Sequence, residues 1–289
     1  MTASEFDQYV RALLLLPEMQ ELWHVTDRGM PVYAHVIDVT HLCLDRFESW
    51  QKKHHPNLNL RTTIVGCVLH DLTKGSVSRN RVISHSRIML DYPDFAADVA
   101  IEAMRRVGDD TGHHFSSKEI DEIRHIVMSH HGPWGKVAPR TPGAMLVHEC
   151  DLYSATNHRL APVNANDILP LLSDGHSWSQ AGVRLGVGRS VIKTRLQEAC
   201  RAEGVRSWVD LLPIWEQSGK VTAGTPARIA QFERARYIIE AARLVPGTLS
   251  DRVRQLYPRA QDGDGQAGID SSPIDEGAPD RSLVGAPAR

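Results

Sequence analysis

Residues 62–74 read TTIVGCVLHDLTK, and this stretch decides how the rest of the chain is read. Positions 62–72 are apolar nearly all round, which predicts a central helix buried on every side. The run closes on the adjacent pair His70-Asp71. An imidazole and a carboxylate at the end of a buried helix are costly unless something compensates them, and a metal ion does. Neighbouring helical positions diverge by about 100°, so the two side chains approach an ion from different sides. A carboxylate has two oxygens and can bridge two ions; an imidazole cannot. Lys74 follows three to four residues on, where its ammonium can hold a phosphate oxygen. A cation placed against the C-terminal helix dipole is the plainer reading of the same lysine.

Outward from this stretch, apolar residues recur at spacings of three and four. Residues 34–52 place Val36, Val39, Leu42, Cys43, Phe47 and Trp50 on one stripe, the mark of an amphipathic helix. Residues 94–107, 117–131 and 144–160 repeat the helical pattern, with a loop marked by Pro139, Pro142 and Gly143 before the last of them. Alternating runs bounded by hairpin turns do not occur. The expectation is an all-α fold.

Histidine is the compositional outlier, with 15 in the chain and 14 of them before residue 160. His35 falls in the first turn of the helix before the His70-Asp71 pair, and His85 near the start of the segment after it. His130 and His131 end a helix just before Gly132, and Asp151 lies in the helix beginning near Ala144. The candidate ligands are therefore His35, His70, Asp71, His85, His130, His131 and Asp151. His113-His114 rivals His85 as a ligand source. Seven nitrogen and oxygen donors without a thiolate suit Mn, Fe, Mg, Ni, Co or Zn. They are too many for one tetrahedral ion and about right for two divalent ions sharing a carboxylate.

The order H…HD…H…HH…D resembles the HD-domain superfamily of metal-dependent phosphohydrolases, in its binuclear form. The segment MSHHG at 128–132, with Pro139, Thr141 and Asp151 after it, is similar to the exoribonuclease and cyclic-dinucleotide phosphodiesterase branches. The resemblance covers roughly residues 30–160. It implies a bundle of five or more helices with the metals between them. It also implies hydrolysis of a phosphoester by a hydroxide shared by two ions, with Asp71 and Lys74 as the catalytic side chains. Two departures stand out. Thr73 occupies the usual glycine position of HD-x-G-K, which bears on the shape of the phosphate pocket. The nucleic-acid-binding β-barrel that precedes some exonuclease relatives is missing, which weakens RNA as the substrate.

Charge divides the chain. Residues 1–169 carry 17 Lys and Arg against 21 Asp and Glu, residues 170–260 carry 14 against 8, and residues 261–289 carry 2 against 6. The basic rear contains SWSQAGVRLGVGRSVIKTRLQEACR at 177–201, which resembles a bacterial helix-turn-helix. Arg189 and Lys193 would face outward from its second helix toward DNA or RNA, with Arg184 and Arg201 on phosphates. Two short helices packed on the enzyme core are the plainer reading. A further amphipathic helix at 226–245 is compatible with core packing or with a homodimer. The expected division is a metal-binding phosphohydrolase domain at 1–165, a basic helical region at 166–258 and a disordered tail at 259–289. No run approaches a membrane span or a secretory signal, and the four scattered cysteines form no C-x-x-C pair, so a reducing cytoplasm is expected. Neither a Ser-His-Asp arrangement nor a Walker phosphate loop is visible. The enzyme reading is therefore a phosphodiesterase, nuclease or nucleotidase acting on a nucleotide or nucleic-acid end. The alternative from another class is a nucleic-acid-binding regulator that senses a nucleotide or metal without turnover.

Overall fold

The computed structural model describes residues 1–54, 58–75, 83–159, 162–218, 224–243, 251–253 and 255–257, without the side chains of 224–228. The expected tail at 259–289 lies outside them. Among the described residues the chain is all-α apart from one short hairpin, as the spacing of its apolar residues predicts. Helix α1 (Ala3–Leu15) opens on a capping box in which Thr2 and Glu5 satisfy each other's backbone N–H groups. Helix α2 (Pro17–Glu21) follows at once. Strands β1 (Thr26–Asp27) and β2 (Met30–Pro31) pair antiparallel, Asp27 opposite Met30. The hairpin leads straight into α3 (Val32–His54).

Helix α4 (Leu60–Leu69) is the centre of the molecule. Asn59 caps it by accepting from the backbone N–H groups of Arg61 and Thr62. Every one of its residues except Arg61 is buried, so the expectation of a helix with no solvent face holds. It packs against α1, α3, α7 (Ser117–Ser129) and α8 (Pro142–Asn157). Gly66 allows the close approach to α7, because a Cβ there would stand 2.7 Å from Ile126 Cγ2. Between α4 and α7 come α5 (His85–Asp91) and α6 (Pro93–Thr111), the latter stopped by Gly112 at φ 74°.

The rear of the chain builds a second core. Helices α9 (Ala165–Ser173), α10 (Trp178–Leu185), α11 (Arg189–Ala202) and α12 (Trp208–Gln217) enclose Ile168, Leu169, Leu185, Ile192 and Leu211. Helix α13 (Gly224–Arg243) then joins the two cores. It packs against both α3 and α9, and Ala235 and Ala242 are buried with the first core. The turn between α10 and α11 is tight: a Cβ on Gly182 would stand 2.6 Å from the Val187 carbonyl, and one on Gly186 (φ 67°) would meet the Phe232 ring of α13 at 2.2 Å. All four cysteines are free. Among the described residues no helix is long and apolar enough to cross a membrane.

Candidate metal centre

Local structure aims the imidazoles before any tertiary contact is made. His70 is the C-cap of α4, and its Nδ1–H donates to the carbonyl of Cys67 at 2.6 Å. His130 is the C-cap of α7, and its Nδ1–H donates to the carbonyl of Val127 at 2.7 Å. Each bond uses a carbonyl that the ending helix leaves without a partner. It also fixes the tautomer, so that Nε2 points its lone pair inward.

The seven candidate ligands come together. His35, His70 and Asp71 offer ligand atoms within 4.8 Å of one another, as do His85, His130 and His131. Asp71 sits between the two groups and is 1% exposed. Its Oδ2 lies 3.5 Å from His70 Nε2 and 3.7 Å from His35 Nε2. Its Oδ1 lies 3.1 Å from His85 Nε2 and 3.6 Å from His130 Nε2. One carboxylate oxygen thus faces each set of imidazoles. Asp151, from α8, adds its Oδ1 at 2.9 Å from His35 Nε2 and 3.9 Å from His70 Nε2. His113 and His114 belong to neither group. His114 packs at the end of α6, where a Cβ on Gly108 would stand 3.0 Å from its Nδ1.

The polar atoms at this centre fit a cation. His70 Nε2 and both oxygens of Asp71 are buried without a hydrogen-bond partner of proper geometry, although buried polar atoms are almost always satisfied. Lys74 Nζ approaches Asp71 Oδ2 to 2.7 Å as an ion pair, while Oδ1 faces the imidazoles of His85 and His130. His35 makes the same point. Ser154 Oγ donates to Asp38 Oδ2 at 2.6 Å, so the hydroxyl can only accept from His35 Nδ1, 2.9 Å away. A neutral His35 then turns the lone pair of Nε2 toward Asp151 Oδ1. Two acceptors 2.9 Å apart repel unless a positive charge is shared between them.

Burial works against a proton as the source of that charge at His35. Burial, followed by the nearby Arg159 guanidinium, lowers its pKa to about 4 against the pull of Asp151. Burial likewise lowers His85 to about 4 and, helped by the charge of His130, lowers His131 to about 3. His70 goes the other way. Burial opposes its charge, but Asp71 and then Asp151 outweigh it and raise the pKa to about 9. Asp71 is held well below the usual carboxylate range; burial acts against this and the Lys74 and His70 charges prevail. Asp151 is also held low, with burial outweighed by its contact with His35.

Residues 32–156, which contain all seven candidate ligands, match the model of the HD domain family. This segment is an HD domain. No curated protein and no solved structure matches the chain. HD domains are generally metal-dependent hydrolases, and the donor set of this HD domain is one that hard and borderline divalent ions take.

Several supporting residues carry no sequence signal. Thr73 is buried and puts its Oγ1 3.0 Å from His85 Nδ1, so it supports a candidate ligand. His158 Nδ1 lies 2.7 Å from Asp38 Oδ2 and so joins the Ser154 relay. His148 donates from Nδ1 to the His130 carbonyl at 2.7 Å, and Gly132 leaves room for its ring. Asp27, at the end of β1, receives Arg159 Nη1 at 2.5 Å and Lys74 Nζ at 3.6 Å. Asp27, Lys74, His148 and Arg159 line a cavity of about 390 Å³ together with the candidate ligands His85, His130, His131 and Asp151, and Trp134 belongs to its wall. The rear candidates Arg184, Arg189, Lys193 and Arg201 are all exposed on α10 and α11, far along the chain from this cavity.

Proposed function

We propose that this protein is a metal-dependent phosphohydrolase that cleaves a phosphoester of a nucleotide or of a nucleic-acid end. The division of the two Asp71 oxygens between the two histidine groups carries the reading, because it supports a pair of ions. His35, His70, Asp71 and Asp151 would hold one ion, and Asp71, His85, His130 and His131 the other. When bound, two divalent ions supply a hydroxide at neutral pH and positive charge against the phosphoryl oxygens. The chain does the positioning. The bonds from His70 and His130 to their own helices keep Nε2 aimed inward, and Ser154 with Asp38 does the same for His35. Lys74 lines the cavity and sets an ammonium where negative charge builds on the phosphoryl group.

The cavity supports a substrate unit of nucleotide size. About 390 Å³ lies within the range of small-molecule sites. Trp134, 60% exposed in its wall, offers a face on which a base can stack. The test is turnover by protein stripped of metal and reloaded with Mn, Mg, Ni or Co, on a panel of nucleotides and short oligonucleotides. Release of phosphate or nucleotide is expected. Protein that takes up metal and binds a nucleotide yet turns nothing over would belong to the class of regulators.

We also propose that α10 and α11 meet the phosphates of a nucleic acid. Ile192, Leu196 and Cys200 bury one side of α11, while Arg189 and Lys193 stay exposed on another. The Gly186–Phe232 contact fixes this pair to α13, so a strand held there would be held in a set position relative to the HD domain.

A further inference from the structure

Two arginines line the cavity that candidate metal ligands also line, and both lie outside the residues that match the HD family. Arg159 follows the end of α8 and is 8% exposed. Its Nη1 donates to Asp27. The other edge of the guanidinium, Nε with Nη2, makes no hydrogen bond of that kind. Nε is buried without a partner, and Nη2 stands 3.8 Å from Asp71 Oδ2 and 3.9 Å from Asp151 Oδ1. That edge is the one that grips an oxyanion through two parallel N–H groups.

Arg28 is the independent observation. It forms the tip of the β1–β2 hairpin with Gly29, at φ 47° and 75°. Among the described residues no other non-glycine residue has positive φ. Two positive-φ residues suit a two-residue hairpin turn, and asparagine or glycine usually fills the first place. An arginine there meets a steric penalty that the fold itself does not require. The turn sets that arginine on the wall of the cavity that Lys74 and Arg159 also line.

We propose that Arg28 and Arg159 form an anion subsite beside the metal centre that holds a phosphate group of the substrate. Lys74 on this wall is paired with Asp71 and Asp27, and Arg159 with Asp27, whereas Arg28 has no ion pair among the described residues, so its charge is the one left for an anion. Asp27 holds Arg159 by the edge that the anion does not use, and the other edge faces the metal centre on the side of Asp71 and Asp151. The nature of the anion rests on the phosphohydrolase reading; the cationic subsite does not.

The probe is inorganic phosphate, titrated by calorimetry into the full-length, metal-loaded protein. Arg28→Gly keeps the turn conformation and removes the side chain. Arg159→Lys keeps the charge and removes the fork. Each should weaken phosphate binding by about tenfold, the loss of one charged hydrogen-bonding group, with metal content unchanged. Unchanged affinity in both would overturn the subsite, and so would a loss explained entirely by lost metal. If Arg159→Lys fails to fold, Arg28→Gly decides alone. Arginine-dependent phosphate binding without turnover of any ester would leave the subsite standing and remove the hydrolase reading. Turnover with arginine-independent phosphate binding would do the reverse.

Discussion

His35 and Ser154, 119 residues apart in the chain, meet at 2.9 Å, and the contact decides which nitrogen of His35 is free. The serine proton is committed to Asp38, so Nδ1 must carry the imidazole proton and Nε2 must carry the lone pair. Ser154→Ala removes this fixing without touching a ligand. It should weaken metal affinity by about 10–100-fold, the usual cost of removing a group that orients a ligand. Competition against a chelator of known affinity measures the change, and unaltered affinity would show that the packing of α3 alone holds the ring.

Asp71 faces both histidine groups, so its loss should be felt at both. Asp71→Ala should empty the protein of metal and reduce turnover to roughly the background of a site without its bridging ligand. The helical circular dichroism should stay close to that of the parent, since the apolar core around α4 is untouched. Retention of one ion per chain would mean that Asp71 serves a single site.

His85 and His114 are separated by the same logic. His85→Ala should lower metal content, because His85 lies 3.1 Å from Asp71 Oδ1. His114→Ala should leave metal content and turnover unchanged, since its ring sits against Gly108. A larger metal loss in His114→Ala than in His85→Ala would reverse the assignment.

Removal of metal should leave a protein whose stability peaks near neutral pH. His35, His85 and His131 titrate below their ordinary value of 6.5 in the folded state. Between about 4 and 6.5 the unfolded chain therefore binds more protons, and stability falls as pH drops through that window. His70, raised to about 9, works in the opposite direction. Its contribution is complete below 6.5 and is lost as pH rises toward 9. Melting temperatures of chelator-treated protein across pH 4–10 should trace a maximum near 6.5. A monotonic rise to pH 10 would contradict the raised His70.

Nucleic-acid binding by α10 and α11 should be dominated by phosphate contacts. Affinity for duplex DNA should then fall with salt at a slope near −0.9 per neutralised phosphate. Replacing Arg189 and Lys193 together with alanine should flatten the slope by about two such contacts. Hydrolysis of a small phosphodiester should be unaffected. Loss of that small-substrate turnover in the double variant would assign the pair a structural role.

The amino-acid sequence by itself determined the helices and the candidate metal ligands. Spacings of three and four are a local property, so the periodicity at 34–52 becomes α3 and the unbroken apolar run at 62–72 becomes the buried α4. The candidate ligands were legible because imidazole and carboxylate beside a buried run need compensation wherever the fold places them. Only the tertiary structure decided which oxygen of Asp71 faces which histidines, that His85 and not His114 joins them, and that Thr73, Ser154 and Asp38 hold the rings in place. It alone brought Arg159 to Asp27, 132 residues away. Arginine, serine and threonine are common in any sequence and carry no period. Their meaning comes from the distance to a partner, and that distance is set by how α3, α4 and α8 pack around one core.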